Sequence, residues 1–85
     1  MPKKITVYTT NNCAYCVMVK KLLSARGFQY EEVNVEERPD KRQEMIELSG
    51  AQTVPVTVVE TEDGRAPKIT VGYNPAGLMA ALNNV

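Results

Sequence analysis

Thr10-Asn11-Asn12-Cys13-Ala14-Tyr15-Cys16 is the stretch on which the fold turns. Before it, Ile5 to Thr9 alternates around Ile5, Val7 and Thr9 and is rich in β-branched residues, the pattern of a strand. After it, Cys16, Val19, Leu22 and Leu23 recur at spacings of three and four, the period of a helix. The polar Thr10-Asn11-Asn12 cluster between them is turn chemistry, and Arg26-Gly27 supplies a basic last turn and a C′ glycine. A strand therefore hands over to a helix at the pair of cysteines.

Working outward, Phe28 to Val35 reads as a second strand through Phe28, Tyr30, Val33 and Val35, with Glu31-Glu32 breaking the alternation and suggesting a bulge or a tilted end. Pro39 opens a second helix carrying Met45, Ile46 and Leu48, and Ser49-Gly50 closes it. Val54 to Glu60 is the most β-branched run; Glu62-Asp63-Gly64-Arg65 signals a hairpin, and Lys68 to Val71 pairs back. Asn74 is an N-cap with Pro75 at the first helical position, ahead of Leu78, Met79 and Leu82. The order is β-α-β-α-β-β-α. Two β-α steps predict parallel strands, and the last hairpin an antiparallel edge, so an α/β fold with a mixed sheet and helices on both faces is expected.

Residues 1–85 suffice for one compact domain but not for two cores with a linker. Ten basic against ten acidic residues leave no net field to attract nucleic acid or an anionic membrane. No apolar run suits a signal peptide or a membrane span, so a cytoplasmic protein, expected to be monomeric, is the reading. A bridge across two intervening residues closes too small a loop to staple a fold, so the cysteines are expected to do chemistry.

At a helix N-terminus, unpaired backbone N–H groups and the macrodipole favour an anion, so Cys13 is the expected nucleophile. Cys16, one turn further in and more buried, is expected to resolve. Lowering a thiol pKa from about 8.5 to about 6 raises the thiolate fraction near neutrality roughly 30-fold. The accompanying loss of nucleophilicity takes back roughly tenfold, so the larger benefit is expected to fall on Cys13 as a leaving group rather than as an attacker. A bare pair at this spacing also fits two inert helix cysteines or half of a metal site. A zinc site would need carboxylates or a second subunit, because the chain has no histidine and no third cysteine.

Pro55 cannot donate to a central ladder and belongs at the start of its strand. A trans bond there is the common case; a cis Val54-Pro55 bond would turn the Val54 backbone toward an extended substrate. Gly72 would allow close backbone approach nearby or simply make a turn. On the first helix, Val17 falls opposite the apolar stripe and Met18 on its flank. Both are expected to be exposed beside the cysteines, as surface scatter or as a docking patch.

Taken together, Cys13-Ala14-Tyr15-Cys16, Ser49-Gly50-Ala51-Gln52-Thr53-Val54-Pro55 and Val71-Gly72-Tyr73-Asn74 resemble the glutaredoxin family over nearly the whole chain. The resemblance implies a thioredoxin-like fold with a four-stranded mixed sheet flanked by three helices. It also implies a cis proline at Pro55 and a disulfide oxidoreductase in which Cys13 forms mixed disulfides. Substrate or glutathione would be held by Thr53, Val54, Pro55 and Gly72, with Tyr15 flanking and Tyr73 adjoining. No bound cofactor is expected, glutathione serving at most as reductant.

Three departures weaken the glutathione expectation: Ala14 where proline is usual, Thr10 where many members carry lysine, and Tyr73-Asn74-Pro75 in place of a polar, often acidic, stretch. Gly72-Tyr73-Asn74-Pro75 instead looks like the redoxins that serve ribonucleotide reductase and are recharged by thioredoxin reductase. Expected partners are thus disulfide-containing proteins and an electron source, thioredoxin reductase or glutathione. An iron-sulfur cluster carrier, built as a dimer bridged through Cys13, is the alternative that Ala14 leaves open.

Overall fold

A computed structural model describes residues 3–61 and 66–83. Four strands, β1 (Lys3–Thr9), β2 (Glu31–Asn34), β3 (Val56–Thr61) and β4 (Lys68–Val71), alternate with helices α1 (Ala14–Ala25), α2 (Pro39–Ser49) and α3 (Pro75–Asn83) in the expected order. They form one sheet ordered β2-β1-β3-β4. The predicted hairpin turn at Glu62-Asp63-Gly64-Arg65 lies outside the described residues.

Side-chain alternation along β1 divides the interior into two layers. Ile5 and Val7 face one side, where Val19 and Leu23 of α1, Val59 of β3, and Leu78, Ala81 and Leu82 of α3 complete a buried cluster. Tyr8 faces the other, with Val33, Val35, Val56, Val58 and Met45 of α2. Helices thus cover both faces of the sheet. Burying an aliphatic side chain of this kind stabilises by about 1.5–3 kcal/mol, which explains why a chain this small commits so many valines and leucines to the two layers.

Helix ends follow the chemistry of their residues. Past the Arg26 cap of α1, Gly27 adopts φ 78° and donates to the Ser24 carbonyl while Phe28 N–H reaches the Leu23 carbonyl, a complete Schellman motif. Gly50 closes α2 at φ 71°. Asn74 caps α3 through Oδ1, which accepts the Gly77 N–H at 3.1 Å.

Two expectations are corrected. The second strand is shorter than Phe28 to Val35 and pairs with β1 in unbroken parallel register from Thr6–Glu31 to Thr9–Asn34, without a bulge. Phe28 and Tyr30 are apolar because they pack on the α1/α3 layer from the connecting segment, not because they lie in a strand. Secondly, β3 is antiparallel to β1, with Val56 opposite Tyr8 and Thr61 opposite Lys3. The second β-α step therefore delivers no parallel strand. The chain leaves β2 and re-enters at β3 from the same end of the sheet, the end where β1 runs into the cysteine loop. β3 also begins at Val56 rather than Val54, one residue after Pro55, which has no N–H to give.

Candidate active site

The cysteines sit where the end of β1 is tied down. Val35 N–H donates to the Thr9 carbonyl at 2.8 Å, fixing the strand's last residue, and the chain then reverses through Asn11 and Asn12. Asn12 takes φ 57°, a left-handed conformation that asparagine tolerates better than most residues. Cys13 is the N-cap of α1, with extended backbone angles of φ −112° and ψ 105°. Its Sγ accepts the backbone N–H of Cys16 at 3.1 Å, taking the part that a serine or aspartate oxygen plays in an ordinary cap. The first turn of α1 carries no acidic residue, so no carboxylate there competes with an anion for the helix terminus.

The two sulfurs are unequal. Cys13 is partly exposed, whereas Cys16 is only 2% exposed. They are joined as a disulfide, with Cα atoms 5.2 Å apart, inside the range a disulfide spans.

On the β3 side, Tyr15 and Tyr73 stack with ring centroids 6.3 Å apart and planes 20° from parallel. Tyr15 is 60% exposed. Gly72, at φ 78°, donates its N–H to the Pro55 carbonyl at 2.7 Å, and the Val54-Pro55 bond is cis, as expected. These contacts chain Tyr15, Tyr73, Gly72 and Pro55 together beside the cysteine motif. Pro55 is buried and Val54 half-buried, while Thr53 is exposed in the turn ahead of them.

The opposite flank was not singled out from the sequence. There an open groove of about 580 Å³ is lined by Thr10, Asn11, Cys13, Cys16, Lys20 and Glu32, among others. Lys20 lies four residues beyond Cys16, so it shares that helix face, which was the available signal. Its Nζ is 3.0 Å from Glu32 Oε2, and the buried Thr9 hydroxyl donates to the same oxygen at 2.9 Å. The bonds from Lys20 and Thr9 hold the Glu32 carboxyl below its ordinary pKa, against the opposing effect of partial burial. Among the described residues, no group of three or more His, Cys, Asp or Glu side chains is placed to hold a metal ion. No described helix is long and apolar enough to cross a membrane.

Comparison with known proteins accords with this geometry. The glutaredoxin family model matches residues 5–63. Glutaredoxin 3 of Escherichia coli is 36% identical over 58 residues, 68% of this chain and 70% of that protein. The glutaredoxin-like protein NrdH of Lactococcus lactis is 42% identical over 52 residues, 61% and 71% of the two chains. Among solved structures, the glutaredoxin-like NrdH-redoxin of Escherichia coli, described as having a thioredoxin-like activity profile, superposes with a TM-score of 0.69. The two are 30% identical, over 91% of this chain and 92% of that one. A strand-to-helix handover carrying a paired Cys-x-x-Cys on a thioredoxin-like sheet, together with a family match over most of its length, makes this chain a member of the glutaredoxin family and a thiol-disulfide oxidoreductase.

Proposed function

We propose that the chain is an electron-donating dithiol reductase of the cytoplasm, monomeric, in which Cys13 attacks, Cys16 resolves, and thioredoxin reductase rather than glutathione restores the dithiol. The observation that carries the assignment of roles is the asymmetry of the pair: Cys13 caps α1 with its sulfur on the Cys16 N–H and reaches solvent, while Cys16 is enclosed.

In this scheme the Cys13 thiolate attacks one sulfur of a substrate disulfide, forms a mixed disulfide and expels the first substrate thiolate. Cys16 loses its proton and attacks the Cys13 sulfur, closing the Cys13–Cys16 disulfide and releasing the second thiolate. Two electrons have then moved to the substrate, whose two thiolates take up the proton lost by Cys16 and one from solvent, and the reductase must return the two electrons to the chain. The Cys16 N–H that Sγ of Cys13 accepts is already placed to bond the thiolate when the pair is reduced. Cys13 itself is the leaving group only when an external thiol attacks the substrate sulfur of the mixed disulfide. A dithiol reductase must be kept reduced between turnovers, which is why this reading places it in a reducing compartment, the cytoplasm.

Tyr15, Thr53, Val54, Pro55, Gly72 and Tyr73 are assigned to substrate binding, the backbone around Val54 offering a strand-like edge. The preference against glutathione is supported by the last turn before α3. Tyr73 and Asn74 bring no carboxylate to a ligand amino group, and the Asn74 side-chain oxygen already accepts the Gly77 N–H. The 30% identity to the NrdH-redoxin of Escherichia coli, described as having a thioredoxin-like activity profile, supports the same preference.

The test is insulin-disulfide reduction driven by thioredoxin reductase, compared with glutathione plus its own reductase. Faster turnover with thioredoxin reductase is expected; equal or faster turnover with glutathione would overturn the assignment of reductant. Cys13→Ser should abolish both activities, and Cys16→Ser should accumulate a mixed disulfide with protein substrates. A brown, dimeric product of anaerobic purification would instead favour an iron-sulfur cluster carrier.

A further inference from the structure

A closed set of hydrogen bonds ties the loop before Cys13 to the loop after β2. Glu36 receives the Asn11 backbone N–H on Oε1 at 3.1 Å and the Asn11 Nδ2 on Oε2 at 3.3 Å. Asn11 Oδ1 in turn accepts from Asn34 Nδ2 at 2.9 Å. Asn34 Oδ1 accepts the backbone N–H groups of Glu36 and Glu37, at 2.9 and 3.3 Å, forming an Asx turn that presents Glu36 to Asn11. Each amide has one orientation that works, because flipping either would set donor against donor or acceptor against acceptor.

We infer that Glu36, oriented by Asn34, is a positioning residue that clamps the Asn11-Asn12-Cys13 loop and so holds the Cys13 sulfur on the N-terminus of α1. The inference rests on the reading of Cys13 as the attacking thiolate. Asn11 stands two residues before Cys13, and the intervening Asn12 takes φ 57°, a conformation that L side chains rarely adopt. Such a turn holds its shape only when its surroundings specify it. α1 anchors the far side through the Cys16 N–H and the Val17 N–H, which donates to the Cys13 carbonyl at 3.3 Å. The Glu36 clamp anchors the near side.

Electrostatics alone would argue for the opposite residue. A carboxylate bonded to the loop of an anionic nucleophile raises the cost of that anion, so a cation or a neutral acceptor would serve better if charge were the point. Glu36 is therefore read as mechanical: a carboxylate supplies two acceptors in one plane, matching the two donors of Asn11. This opposition of sign separates the clamp from a charge effect, since loss of the charge lowers the Cys13 pKa and loss of the clamp raises it.

The experiment titrates Cys13 by pH-dependent alkylation in a Cys16→Ser background and measures disulfide reduction in the intact dithiol protein. Glu36→Ala removes both acceptors. It should raise the Cys13 pKa and lower turnover by about tenfold at neutral pH. Glu36→Gln removes the charge but keeps an oxygen for the Asn11 N–H, and should lose no more than about threefold. Asn34→Ala removes both the Asx turn and the donor to Asn11 without adding charge, and should show the same upward pKa shift. A Glu36→Ala protein with normal turnover, or with a lowered Cys13 pKa, would overturn the clamp, as would equal losses in the alanine and glutamine variants. Cys13→Ser distinguishes the two levels. If that variant stays active the nucleophile is misassigned, whereas if only Glu36→Ala is silent the nucleophile stands and the clamp falls.

Discussion

Lys20 Nζ lies 3.0 Å from Glu32 Oε2, bracing the second turn of α1 against β2. The Thr9 hydroxyl bonds the same oxygen at 2.9 Å, so the ionised carboxylate answers two donors that the neutral acid would answer poorly. The folded-state pKa of Glu32 is consequently depressed, first through the Lys20 bond and then through Thr9. A depressed carboxyl contributes stability above its unfolded pKa of about 4.3 and loses it as pH falls through the folded value. With side chains 28% and 39% exposed, solvent screening limits the pair to at most about 1 kcal/mol. Urea midpoints should place Glu32→Gln below the parent chain at neutral pH, with the gap closing near pH 3. A gap that is the same at both pH values would refute the assignment.

Tyr8 predicts the opposite pH dependence on the other face of the sheet. Burial is the leading reason that its phenol is pushed up to about 12; the charge and hydrogen bond of Glu44 follow, with Glu60 and Glu31 adding smaller repulsion. Its hydroxyl donates to Glu44 at 3.3 Å. Because the fold favours the protonated phenol, its contribution is complete below about pH 10, the unfolded value, and is lost as pH rises through the folded one. Tyr8→Phe should cost about 1 kcal/mol at neutral pH and flatten the alkaline loss of stability. Denaturation at about pH 9 and about pH 11 checks this; an equally steep alkaline loss in the phenylalanine variant would place the effect elsewhere.

Much of this architecture is legible before any coordinates, and the parts that are not share a physical cause. The Gly27 stop, the Pro39 start and the Asn74-Pro75 cap were readable because each rests on one residue meeting a local backbone requirement, whereas the basic last turn expected at Arg26 is absent because that residue is the C-cap itself. Phe28 and Tyr30 misled because aromatic character marks burial as readily as it marks a strand. The direction of β3 was out of reach because periodicity carries no sense of travel, and α2 returns the chain to the end it left. Cys13 and Cys16 stood out by type and spacing. Their neighbours Lys20, Glu32, Asn34 and Glu36 did not, since charged and amide residues at separations of 12 to 25 look like ordinary solvated surface until the fold brings them together.

Val17 and Met18 are 44% and 41% exposed on the helix that carries both cysteines, as their place off the apolar stripe of α1 anticipates. A protein that reduces the Cys13–Cys16 disulfide must cover this part of α1, whereas a small disulfide need only reach the sulfur. Changing both residues to asparagine, which adds no charge beside Cys13, should lower turnover with a protein reductant by about tenfold, or about 1.4 kcal/mol, somewhat less than a full interface hot spot. Reduction of a small disulfide, measured by single-turnover mixing with the pre-reduced protein, should be unaltered. Matching losses with both partners would point to damaged folding or chemistry and remove the docking role.

The start of α3 tests how two local preferences conflict. Gly77 is the third residue of the helix, where alanine is ordinarily favoured over glycine by about 1 kcal/mol. A Cβ at that position would meet Asn74 Nδ2 at 2.8 Å and Cγ at 3.1 Å, and this is the side chain whose Oδ1 caps the helix through the Gly77 N–H. The cap is itself worth about 1 kcal/mol, so Gly77→Ala should leave stability nearly unchanged by exchanging one gain for the other. Asn74→Ala should cost about 1 kcal/mol alone, and in that background Gly77→Ala should recover the full propensity gain. Urea denaturation of the four chains gives the coupling directly, about 1 kcal/mol if the cap and the methyl exclude each other. Additive effects would show that the asparagine can rotate clear of the methyl and still hold its bond.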